Sequence, residues 1–187
     1  MARQLSFSNF QSGTSMLEVL VTIVVMAIGL LGLAALQSQM QKSEVESYQR
    51  AQALILLNDM ASRIASNRYE AANYVTASPL GTGITCPATI ATRQESDTGE
   101  WCNALQGAAE LSGTSRVGAM SGARGCVEDI GSNSYMVTVA WEGMSAISAP
   151  PASVTCGVNL YNGTGSSPCT NDLCRRAITT IVRLPTL

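Results

Sequence analysis

The stretch from Met16 to Leu36, MLEVLVTIVVMAIGLLGLAAL, constrains this chain more than any other: Glu18 is its only ionisable side chain. Helical at 1.5 Å per residue, it measures about 32 Å, which matches a bilayer hydrocarbon core of about 30 Å. The stretch is long enough to span. A carboxylate inside such a run is costly unless an opposite charge meets it, so Glu18 requires a partner that the run itself does not contain.

The flanks suggest an orientation. Residues 1–13, MARQLSFSNFQSG, form a polar leader with Arg3 as its basic residue, and Lys42, Glu44 and Glu46 follow the span. Positive charge close to a span is retained on the cytoplasmic side while acidic residues count for little, so the amino terminus is expected inside and the remainder exported. All six cysteines, Cys86, Cys102, Cys126, Cys156, Cys169 and Cys174, lie beyond the span. Their even number points to disulfides formed in an oxidising compartment.

Helix is expected to continue well past the membrane. No proline occurs before Pro79, and residues 36–69 are rich in good helix formers. Ala53, Leu57, Met60 and Ile64 recur at helical spacing with Leu54 and Ala61 beside them, whereas Asn58, Asp59, Ser62 and Arg63 fill the other side. One face of this half is meant to be covered. Asp59 and Arg63 form an i, i+4 pair in the favourable order, read here as solvated and worth a few tenths of a kcal/mol. Gly29 and Gly32 interrupt the apolar half, each costing about 1 kcal/mol relative to alanine, and mark a place for bending or close helix packing.

After Tyr74 the texture turns to Gly, Ser, Thr and Pro with short apolar alternations, which predicts loops and strands. In YMVTVAW, Tyr135, Val137, Val139 and Trp141 share one face of a strand. AITTIVRL, residues 177–184, places Ile178, Val182 and Leu184 on one side. Weaker strands are expected at 115–120 and 125–130, completing an antiparallel sheet whose apolar face the amphipathic helix half would cover. The fold class is α+β, with a leader at 1–13, a transmembrane half at 14–36, an amphipathic half at 37–69 and a sheet domain at 70–187. The long segment between Ser145 and Arg176 carries three of the cysteines and needs disulfides to order it. Six cysteines allow 15 pairings; Cys86 with Cys102, a local pair in a Gly/Thr-rich loop, is the one suggested here.

Several function classes find little support. With 11 basic against 13 acidic residues, the chain has no basic stripe to follow a phosphate backbone, so no nucleic acid partner is expected. The chain has no histidine, the usual general base and metal ligand. It has no Cys-x-x-Cys either, so neither a metal nor another cofactor is expected. Glu128 and Asp129 are adjacent on a strand, point to opposite faces and are read as solvated. Cys126 reads as a disulfide partner, not a nucleophile, and Asn162-Gly163-Thr164 is foremost a turn. The chain is not expected to be an enzyme.

Gly13-Thr14-Ser15-Met16-Leu17-Glu18 resembles the type IV prepilin motif, in which a short leader ends in Gly and the fifth residue beyond it is Glu at the head of an apolar helix. EVLVTIVVMAIGLLGLAALQ, the later LLNDMASRIASNR and the strand VTVAWEG are similar in order and texture to the pilus-modification, or PilV-like, minor pilins. The resemblance implies the pilin fold. It also implies cleavage between Gly13 and Thr14 by an inner-membrane prepilin peptidase, and N-methylation of Thr14, where the family usually has Phe or Met. Cleavage creates an α-amino group four residues from Glu18, positive near neutral pH with a pKa of about 7.7–8.0. In the family, this glutamate is thought to meet the mature amino terminus of a neighbouring subunit and so to set the register of assembly.

The implied partners are other minor pilins, the major pilin, the prepilin peptidase and the inner-membrane assembly platform. The implied role is priming of type IV pilus assembly at the tip, with effects on twitching and adhesion. It places the protein first in the inner membrane and then in the extracellular pilus. Competing readings are a secretory signal peptide cut near Gly32-Leu33-Ala34, a plain single-pass anchor, a minor pseudopilin of a type II secretion system, and a tip adhesin or signalling pilin using the 145–176 tail.

Overall fold

The computed structural model describes residues 15–108, 111–113, 115, 116, 118 and 120–185. The chain divides into two compact units, Met1–Ser43 and Glu44–Leu187. Helix α1 covers Met16–Ser66, so all described residues of the first unit beyond Ser15 are helical. Every one of them is exposed. By length and composition this helix is a candidate membrane span, a setting in which a helix satisfies its own backbone and apolar side chains meet lipid.

In the second unit α1 becomes amphipathic. Gln49, Ala53, Leu57, Met60 and Ile64 are buried, and the intervals of three and four residues between them place them on one stripe. After Ser66 the chain tightens into a 3-10 segment at Arg68–Tyr74, which buries Ala71 and Tyr74. Strands β1 (Leu80–Gly81), β4 (Arg124–Asp129), β5 (Ser134–Glu142) and β6 (Arg175–Arg183) form one antiparallel sheet in the order β1-β4-β5-β6. The fold is therefore α+β, with a long amino-terminal helix and a small antiparallel sheet.

The period-2 alternation of β5 organises two cores. Tyr135, Val137, Val139 and Trp141 join Ala53, Leu57, Met60 and Ile64 of α1 in the main cluster, against which Ile178 and Val182 of β6 pack. The opposite face is covered as well at one end, where Cys126, Ala140, Cys156 and Tyr161 form a second cluster with Ala177 beside it. The tail between β5 and β6 thus folds over the back of the sheet.

Three expectations need correction. A second helix, α2 (Arg93–Leu105), stands where only loops and strands were expected. Thr92 and Glu95 form a reciprocal capping box that starts it, and Trp101, Cys102 and Leu105 anchor it in the main core. The described residues of 115–120 do not join the four-stranded sheet: β3 (Ser115–Arg116) pairs with β2 (Leu111–Ser112) in a separate two-stranded ladder. Its short apolar pattern is interrupted by Gly118, which supplies no side chain for a pleated surface. Glu128 is not simply solvated: it is half-buried and accepts a hydrogen bond from the hydroxyl of Thr155, because the folded-back tail brings Thr155 over that face.

The sheet and α2 meet where β4 lacks a side chain. A Cβ at Gly125 would lie 2.2 Å from the Trp101 ring and 2.7 Å from Leu105, so glycine is what admits the indole to the strand. The Trp101 ring nitrogen donates to the Leu56 carbonyl at 2.9 Å, joining α2 to α1.

Candidate functional site

Gly13 and Thr14 lie outside the described residues. Glu18 occupies the first turn of α1, where a negative charge complements the helix dipole. Its side chain is exposed, and its backbone N–H donates to the Ser15 carbonyl at 2.8 Å. Gly29 and Gly32 are helical, and a Cβ built on either meets nothing within 4 Å. No contact with the described residues requires glycine there.

A polar cluster that the sequence reading missed docks α2 onto α1. Arg63 reaches both oxygens of Asp59 through Nε at 3.0 Å, while Nη1 reaches Asp97 and Glu100 at 2.8 Å each. The Tyr74 hydroxyl donates to Asp97 Oδ2 and the Arg93 Nε donates to Oδ1 at 3.1 Å. Asp97 is 2% exposed. The Asp59–Arg63 pair, read as solvated, is therefore the outer part of a network with a buried centre. Its interhelical members are separated by 34 and 37 positions, beyond the reach of a helical-spacing argument.

The electrostatics of the cluster favour the ionised form. Burial opposes ionisation of Asp97, but the Tyr74 hydrogen bond and then Arg63 outweigh it, leaving the carboxyl below its ordinary range. The hydrogen bond from Arg63 also lowers Glu100. Burial pushes the Tyr74 phenol up to about 12, with acceptance by Asp97 adding to the effect. Every charge at the centre is paired. The cluster is arranged to hold two helices together.

Three bridges staple this unit, two of them in the tail, which two arginines also hold. Cys86–Cys102 joins the 83–92 loop to α2, Cys126–Cys156 fastens the tail to β4, and Cys169–Cys174 closes the approach to β6. The first of these is the local pair suggested by sequence. Buried Arg175 donates from Nη1 to the carbonyls of Val154 and Cys156 at 2.8 and 3.1 Å and pairs with Asp172 at 3.2 Å. Arg176 Nη2 donates to the Ser145 carbonyl at 2.7 Å and lies 3.4 Å from Glu46 on α1. Glu46 also accepts from the Met144 backbone N–H at 3.2 Å. Both ends of the tail are thereby fixed at Glu46 of α1.

Comparison with protein-family models, curated proteins and solved structures returns no match for this chain.

Proposed function

We propose that this chain is a minor pilin: a non-catalytic subunit, cleaved between Gly13 and Thr14, that takes part in priming type IV pilus assembly together with other minor pilins. The observation that carries the reading is the position of Glu18. A carboxylate stands exposed in the first turn of an apolar helix long enough to cross a membrane, five residues beyond a glycine that ends a polar leader. A secretory signal or a plain anchor gives that carboxylate no role. The pilin reading supplies its counter-charge, the α-amino group of a cleaved neighbour.

The α+β head stapled by disulfides is compatible with a pilin fold and with exposure outside the cytoplasm. In the proposed sequence of events the inner membrane holds the helix until assembly, and the head then presents a surface to the next subunit. Intact mass and amino-terminal sequencing of protein recovered from sheared pili test the reading. A chain beginning at Thr14, with or without a methyl group, is expected. A chain beginning near Ala35 or retaining residues 1–13, or its absence from pili, overturns it.

A further inference from the structure

We infer that the outer edge of β6 is a docking site for an extended segment of a different polypeptide, which adds to the sheet as a fifth strand and carries an acidic residue opposite Arg183. Unlike the function proposed above, this inference does not depend on the chain being a pilin.

The register defines the edge. Gly143 N–H donates to the Cys174 carbonyl and Leu184 N–H to the Asn133 carbonyl, so the even-numbered residues of β6 point their backbone groups toward β5. In an antiparallel ladder the alternate residues point theirs the other way. Ala177, Thr179, Ile181 and Arg183 thus turn their N–H and C=O groups outward, and no backbone partner meets them among the described residues. The other sheet edge, β1, is two residues long, whereas β6 has nine residues in unbroken register with β5.

Natural edges are usually blunted by proline, a bulge or inward charge. β6, RRAITTIVR, has no proline and an uninterrupted ladder, and its centre is β-branched. The side chains of the outward-facing residues lie on the back of the sheet. The tail covers that face at the Ala177 end but leaves Ile181 47% exposed, with Ile130 equally open across the sheet. An added strand would find both its main-chain partners and an apolar surface for alternate side chains, which is the recognition mode of strand addition.

Charge selects the occupant. β6 carries three arginines and no carboxylate. Arg175 is neutralised by Asp172 and Arg176 by Glu46, while Arg183 is exposed and has no ion-pair partner among the described residues. A second copy pairing through the same edge brings no carboxylate to Arg183 in any register, since β6 itself contains none, whereas opposite charges placed across a strand pair are stabilising. A foreign strand with an acidic residue at that position is favoured instead.

The test uses the full chain in detergent and a nine-residue peptide of alternating Val and Thr with Asp placed opposite Arg183, its binding read by fluorescence anisotropy. Saturable binding is expected. It should weaken at least tenfold when the alternate amides facing β6 are N-methylated, but not when the other set is methylated. Exchanging Asp for Lys should weaken it similarly, and Arg183→Glu should reverse that preference. Thr179→Pro, which removes an outward N–H without touching the β5–β6 ladder, should abolish binding while the far-ultraviolet circular dichroism is retained. Absence of binding, or equal binding by both methylated peptides, overturns the inference. Dimers in sedimentation that Thr179→Pro dissolves overturn it in favour of a second copy.

Discussion

Tyr74 donates its phenolic hydrogen to Oδ2 of Asp97 across 2.6 Å, tying the 3-10 segment that follows α1 to the buried face of α2. The hydroxyl is thus a donor to an ionised, desolvated acceptor, the kind of hydrogen bond that contributes most. Its two partners make separable predictions at opposite ends of the pH scale.

Asp97→Asn removes the charge at the centre of the cluster. Because the folded carboxyl lies below its ordinary value of 3.8, its contribution is fully present above that value and is lost as pH falls through the lower, folded one. The variant should be about 3 kcal/mol less stable at pH 7, and the gap should narrow below pH ~4. Urea unfolding of both proteins between pH ~2 and 7 measures it.

Tyr74→Phe tests the alkaline side. The phenol is raised from 10 to about 12, so the folded state holds its proton longer than the unfolded chain, and stability is present below pH 10 and lost as pH rises toward 12. The variant should lose about 2 kcal/mol at neutral pH and show a shallower decline above pH 10. The difference between the two unfolding profiles isolates Tyr74 from Tyr161, whose phenol burial also raises.

The disulfides should differ in worth. Cys126–Cys156 spans 30 positions and Cys169–Cys174 only five, which in the chain-entropy account corresponds to about 4 and about 2 kcal/mol. Alanine at both Cys126 and Cys156 should lower the melting temperature more than alanine at both Cys169 and Cys174. It should also open residues 147–170 to protease while α2 stays protected. Equal shifts for the two double variants would count against the entropic ranking.

Gly125→Ala places a methyl group where the Trp101 ring lies. Displacing the indole strains the main core, so a loss of about 1–3 kcal/mol is expected. A second-site Trp101→Phe should recover part of it, since the smaller ring vacates the position nearest the strand. Thermal unfolding of the single and double variants forms the cycle.

Glu18→Ala addresses assembly. Under the proposed function the variant should enter the membrane and be cleaved but fall several-fold in sheared pili, because the incoming subunit lacks the charge that fixes its register. Immunoblots of membrane and sheared fractions compare the two. Normal incorporation removes the role assigned to Glu18.

Much of the fold was legible where one period dominates. The four-residue recurrence of Ala53, Leu57 and its neighbours, and the alternation from Tyr135 to Trp141, each report which side of an element is buried. Helix α2 was hidden because its sequence, RQESDTGEWCNAL, presents Trp101 and Leu105 among polar residues, and its buried positions include Asp97 and Gly99. The Thr92–Glu95 capping pair was the available signal. The ionic cluster was half legible: Asp59 and Arg63 are neighbours by helical spacing, but Asp97 reaches them only through the tertiary fold. Sequence alone likewise gave no means of choosing among the 15 cysteine pairings beyond the local Cys86–Cys102 pair.

The three bridges join 86 to 102, 126 to 156 and 169 to 174, intervals that neither overlap nor nest. Delivered amino end first into an oxidising compartment, each cysteine meets its correct partner as the next to arrive. The native arrangement is the one that order of emergence by itself would favour, since each second thiol to arrive would find its correct partner in the one before it. Reversing the order of delivery leaves the same three pairings, since disjoint intervals read identically from either end. Chain order and folded geometry therefore favour the same three pairings in this head.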